Sequence, residues 1–115
     1  MKHCHQLDVD VHSLDLSEHI NQYWQRIEAR HRPVDPVLLE QRQSMQDLLE
    51  SPRFKAANTA LCHHDPIVAN FVGSPDRLYL VDWEYAARGL LVMDSAALAC
   101  AWGINGEAVV EQSGV

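Results

Sequence analysis

The sequence is short of positive charge. Nine Lys+Arg stand against 16 Asp+Glu, giving a formal net charge of −7 over 115 residues. Nucleic acid and anionic membrane surfaces are held by clustered positive charge, so neither is expected as a partner. Long hydrophobic runs are missing too. No stretch approaches the ~20 apolar residues of a membrane span, and Met1-Lys2-His3-Cys4-His5 has no apolar core of a secretion signal. Cysteine is scarce: Cys4, Cys62 and Cys100 are odd in number and widely spaced. That argues against a disulfide scaffold and points to a reducing, cytoplasmic setting. What is present is ordinary for a globular chain, with 47% hydrophobic and 22% charged residues. The length suits a single domain over residues 1–115.

The first half reads as helical. Leu7-Asp8-Val9-Asp10-Val11-His12 alternates apolar and polar, the pattern of a short edge strand. Asp15-Leu16-Ser17-Glu18 has the form of a capping box, with Asp15 as N-cap. Ile20, Tyr23, Trp24 and Ile27 then make one apolar stripe on a helix to about Arg30. Asp35 and Pro36 open a second helix, which Ser51-Pro52 ends. Leu38, Met45, Leu48 and Leu49 are its expected buried side, and the two helices, a segment of about 15–51, are expected to pack antiparallel.

The texture changes at Asn58. Thr59-Ala60-Leu61-Cys62 is a short buried run, and the polar cluster His63-His64-Asp65-Pro66 follows it. Ser74-Pro75-Asp76-Arg77 is a turn signal, and Leu78-Tyr79-Leu80-Val81 is the strongest strand candidate. Leu91 to Trp102 is alanine-rich and reads as a helix closed by Gly103, while Ile104 to Val115 adds a helical turn or frays. A three-residue turn between Ser74 and Leu78 would set Asn70 opposite Asp82 at the open end of a hairpin, beside the loop carrying Asp65. Two carboxylates and a carboxamide there form an oxygen-rich set suited to Mg²⁺. One carboxylate could instead take a proton from an attacking hydroxyl. Phosphoryl transfer needs these parts: positioning, neutralised phosphate charge and an oriented nucleophile.

His63-His64-Asp65-Pro66-Ile67-Val68-Ala69-Asn70 resembles the catalytic loop, H-x-D-x4-N, of the choline/ethanolamine kinase and aminoglycoside phosphotransferase superfamily, which shares the protein-kinase-like fold. Leu80-Val81-Asp82-Trp83-Glu84-Tyr85-Ala86 resembles the metal-binding strand that follows in that family, I-D-[FW]-E-Y-A. Met93-Asp94-Ser95-Ala96 is similar to the later F-D-[IL]-A element, with Met93 and Ser95 departing from it. The resemblance covers a catalytic and metal-binding core of about 58–102 and implies an α+β fold. That fold is part of a kinase-like C-terminal lobe: two N-terminal helices, a catalytic-loop hairpin and a following helix. It implies Asp65 as catalytic base and His63 as its partner in the catalytic set, bracing the loop. Asn70 and Asp82 would bind Mg²⁺ and the phosphates of ATP, Glu84 would assist the metal or the substrate, and Asp94 would hold the loop together. The implied reaction is ATP-dependent phosphorylation of the hydroxyl of a small-molecule acceptor alcohol, choline, ethanolamine or thiamine-like.

The departures bear on that expectation. The family's N-terminal lobe carries a phosphate-covering loop and a lysine–glutamate pair. Here the lysines are Lys2 and Lys55, and no glycine precedes Gly73. The chain is therefore expected to be the core of a C-terminal lobe, as a fragment, a truncated gene product or a decayed relative. The alternative function is a non-catalytic remnant that binds a partner, such as a missing lobe, or forms a homo-oligomer. Each site residue also has a structural reading: Asp65, Asn70 and Asp82 as caps of turns, and Trp83, Tyr85 and Trp102 as core rather than a wall for a cationic amine. His3-Cys4-His5 and Cys62-His63-His64 carry zinc-ligand types, without an established finger spacing.

Overall fold

Two aspartates set where the long helices begin. In the computed structural model, which describes residues 2–113, Asp15 accepts the Glu18 N–H at 3.0 Å and opens α2, Leu16–Glu28, and Asp35 accepts the Val37 N–H at 2.8 Å and opens α3, Pro36–Glu50. A four-residue helix, α1 (Lys2–His5), precedes them. Ser51 ends α3 and caps a further short helix, α4 (Pro52–Lys55), by accepting the Phe54 N–H at 3.2 Å. By its sequence, Ser51-Pro52 only ends a helix. Proline at the first helical position starts a helix as readily as it ends one.

The chain divides into two compact units: Leu14–Ala57, and the described residues of Met1–Ser13 with Asn58–Val115. Within the first, Arg42 joins α2 to α3 by bonding Glu28 and stacking 4.6 Å over the Trp24 ring. The apolar stripes are mostly uncovered. Of the expected buried side of α3, only Leu49 is buried; Leu38, Met45 and Leu48 are 53%, 41% and 52% exposed. On α2, Tyr23 is 53% exposed, and that helix has no buried residue.

The second unit is built on two small antiparallel sheets. β1 (Thr59–Cys62) pairs with β4 (Ala87–Leu90), and between them the chain makes a hairpin of β2 (Phe71–Ser74) and β3 (Arg77–Leu80). α5 (Leu91–Trp102) follows β4 and packs on β1, as does α1; α6 (Gly106–Ser113) packs on α5. Gly103, left-handed at φ 61°, closes α5 as expected. β4 was not anticipated, because Ala-Arg-Gly-Leu has little strand propensity. Its pairing with β1 makes it a strand.

Two expectations are corrected. Residues 7–12 form no strand: the segment's backbone joins the sheet at its end, where the His12 carbonyl accepts the Arg88 N–H at 2.8 Å and Ser13 bridges Arg88. Asp8, its side chain fully exposed, lies 3.7 Å from the Arg88 guanidinium of β4, so this carboxylate reaches the sheet by charge and not by strand pairing. The hairpin register is also one residue off the expected one. Ser74 pairs directly with Arg77, leaving Pro75-Asp76 as a two-residue turn, so Phe71 faces Leu80. The pair then continues through Val81, whose N–H donates to the Asn70 carbonyl at 2.9 Å. Asp82 lies one residue beyond the position opposite Asn70.

Candidate active site

The loop between β1 and the hairpin is seated on one buried carboxylate. His64 takes the left-handed conformation, φ 66°, which turns the chain so that two consecutive amides face Asp94 on α5. The His63 N–H donates to Asp94 Oδ2 and the His64 N–H to Oδ1, both at 2.8 Å. Asp94 has no exposed surface. Its charge is matched by these bonds and by His5, whose Nε2 lies 3.0 Å from Oδ2.

His63 is equally buried and links the loop to the strand after it. Its Nδ1 accepts the Asp65 N–H at 3.3 Å and its Nε2 donates to the Val81 carbonyl at 2.9 Å, the bonding pattern of the neutral Nε2–H tautomer. The Trp83 ring meets the imidazole edge-on at 4.7 Å, and Trp83 is itself fixed by donating Nε1–H to the Leu80 carbonyl at 2.8 Å. His63 thus has both nitrogens engaged and no exposed surface, and it braces the loop. It ties the backbone of Asp65 to that of Val81, next to Asp82.

Asp65 and Asn70 are joined directly. Pro66 is buried, and a short 3₁₀ turn, Val68–Asn70, brings the Asn70 side chain back over the loop. Its Nδ2 donates to the Asp65 carbonyl at 2.8 Å and to the Asp65 carboxylate at 3.1 Å. Both donors of the amide thus face Asp65, and Oδ1 has no protein donor among the described residues. Asp82 is exposed and left-handed, φ 63°, a conformation that aspartate tolerates better than most side chains. Glu84 and Tyr85 follow in a turn, both exposed. Glu84 pushes the Tyr85 phenol above its ordinary value, and Asp65 and Asp82 act on it in the same direction.

His64 lies on the other side of the loop. A Cβ on Gly89 would come within 2.6 Å of its ring, so glycine in β4 makes room for the imidazole. His64 Nε2 is buried without a partner, and burial pushes the ring below its ordinary pKa. Burial, reinforced by Asp94, likewise pushes the Cys62 thiol up to about 11. Of the three aromatics considered for a cation wall, Trp83 is bound into the loop and Trp102 packs edge-on against Phe71 at 5.5 Å, leaving Tyr85 the most open. His5 was not expected at the site. Only its contact with Asp94, 89 positions away, reveals it.

A histidine-braced Asp–Asn loop, a hairpin followed by the exposed carboxylates of Asp82 and Glu84, and a buried aspartate under the loop correspond to the parts of a kinase-like C-terminal lobe. The comparisons agree. The chain matches the family model described as the phosphotransferase enzyme family over residues 1–113, and it belongs to that family. Among solved structures it resembles a choline/ethanolamine kinase family protein from Mesorhizobium loti, with a TM-score of 0.76 and 21% identity over 97% of this chain and 39% of that one. It also resembles LicA in complex with AMP, with a TM-score of 0.73 and 24% identity over 97% of this chain and 40% of that one. No curated protein sequence matches. The chain thus spans about two fifths of the solved relatives it matches. Among the described residues, no helix is long and apolar enough to cross a membrane.

Proposed function

We propose that the chain carries the catalytic loop and metal-binding strand of an ATP- and Mg²⁺-dependent phosphotransferase. The acceptor is the hydroxyl of a small molecule of the choline, ethanolamine or thiamine type. One observation carries this reading: the Asn70 amide donates to the Asp65 carboxylate at 3.1 Å and so leaves Oδ1 facing away as an oxygen ligand. With the exposed carboxylate of Asp82 and that of Glu84 nearby, the donors are hard oxygens, and that set fits Mg²⁺. Asn70 and Asp82 would hold the ion, which when bound supplies positive charge against the phosphates of the nucleotide.

The chain's own residues do the rest. Asp65, held by Asn70 and by its backbone bond to His63, accepts a hydrogen bond from the acceptor hydroxyl and aligns it with the phosphorus. His63 keeps that loop at a fixed distance from the Asp82 segment. The AMP-bound LicA relative supports a nucleotide as the phosphoryl donor. A cytoplasmic location goes with this reading, since ATP and reduced thiols occur together there.

Calorimetric titration of the chain with ATP, with and without Mg²⁺, tests the reading. Mg²⁺-dependent binding should appear and be lost in Asp82→Asn. In an acceptor screen, Asp65→Asn should lower turnover by roughly 10²–10⁴-fold while the fold is kept. A folded chain that binds no nucleotide would instead favour a non-catalytic kinase-like domain that associates with a partner or with itself.

A further inference from the structure

One buried cluster of metal-ligand groups lies behind the loop that Asp94 seats. His5 on α1, Cys62 on β1 and Asp94 on α5 come from three elements, and their ligand atoms all lie within 4.8 Å of one another. Cys62 and Asp94 have no exposed surface, and the His5 side chain is 7% exposed. We propose that these three side chains form a zinc site behind the catalytic loop.

The donor set carries the choice of metal. An imidazole nitrogen, a thiol sulfur and a carboxylate oxygen match the three-ligand zinc centres that leave a fourth, water-filled position. A sulfur ligand disfavours Mg²⁺ and Ca²⁺. The His5–Asp94 bond by itself accounts for two of the three groups; the thiol beside them donates to the Leu90 carbonyl at 3.4 Å and is not part of that bond. Both ligand-rich triplets of the sequence contribute. His3-Cys4-His5 supplies His5 and Cys62-His63-His64 supplies Cys62, while His63 is fully engaged with Val81 and Asp65.

The geometry is close to what an ion needs. Tetrahedral zinc with Zn–S of ~2.3 Å and Zn–N of ~2.0 Å sets its ligands roughly 3.3–3.8 Å apart. His5 and Asp94 are already at 3.0 Å, so the adjustment lies mainly on the Cys62 side, about an ångström. On binding, the Cys62 thiol releases its proton to solvent, and His5 Nε2 gives up its hydrogen bond to Asp94 and bonds the metal. Asp94 still receives the His63 and His64 amides. The ion would therefore pin α1 to the carboxylate that seats the catalytic loop.

Cobalt(II) titration of the chelator-treated full chain tests this independently of any activity. One equivalent of Co²⁺ should bind with a thiolate-to-metal charge-transfer band and tetrahedral d–d bands, and Zn²⁺ should displace it. Cys62→Ser should lose the charge-transfer band. His5→Ala should weaken binding by about a hundredfold, one ligand's share of such an affinity, and Cys4→Ser and Cys100→Ser should behave as the parent. The proposal is overturned if no such band develops, if the band survives Cys62→Ser, or if His5→Ala binds as tightly as the parent. Should Cys62→Ser fail to fold, His5→Ala decides, with its fold checked by circular dichroism because His5 also bonds Asp94.

Discussion

At the scale of single residues, the polar core of the sheet-bearing unit sets its behaviour. His63 and Asp94 are wholly buried and hydrogen-bonded, whereas His64 has a buried nitrogen without a partner. Burial lowers the His64 pKa from its ordinary 6.5; Asp94 opposes that shift, and His12 and His63 add to it. Between the ordinary value and the lowered one, the unfolded chain binds a proton that the folded chain does not. The stabilising contribution is therefore full above about pH 6.5 and is lost as pH falls through the folded value. Urea denaturation across a pH series should show this loss in the parent and a flatter profile in His64→Gln. Equal slopes would assign the acid sensitivity to other groups. The Asp65–Asn70 pair was legible in the sequence because both members sit on one short loop. His5 was not, since nothing local marks a histidine for a carboxylate 89 positions away.

Secondary-structure elements divide by how local their causes are. The starts of α2 and α3 and the glycine end of α5 were legible because caps act within one turn. The hairpin was legible as a hairpin but not in its register, since Pro75-Asp76 and a longer turn fit the same residue types. The observed turn depends on Gly73, which has φ 128° and whose added Cβ would run into the Arg77 carbonyl oxygen. Gly73→Ala should cost about 1–3 kcal/mol in thermal or chemical unfolding. It should also weaken the proposed Mg²⁺-dependent nucleotide binding, because the hairpin positions Asp82 relative to Asn70. A variant as stable as the parent would mean that the turn re-forms in another register.

For the molecule as a whole, the two units differ in what protects them. The sheet-bearing unit buries Leu61, Cys62, His63, Pro66, Ala87, Asp94 and Ala99 around paired strands. The helical unit buries Leu49 and leaves Val37, Leu38, Leu39 and Leu48 about half exposed or more. Hydrogen exchange should therefore be fastest along α2 and α3 and slowest in β1, β4 and the first turns of α5. Uniform protection would show that the exposed helix faces are covered in solution. The sequence by itself determined where helices start and stop, that a hairpin follows the loop, and the order and spacing of Asp65, Asn70 and Asp82. Caps, turn residues and short spacings act between near neighbours, so they can be read along the chain. Only the tertiary structure decided the register that sets Asp82 one residue past Asn70, the strand formed by Ala87–Leu90, and the burial of Asp94 beneath two amides. It also decided the meeting of His5 with Cys62. Those features come from contacts between segments far apart in sequence, where burial and pairing outweigh local preference.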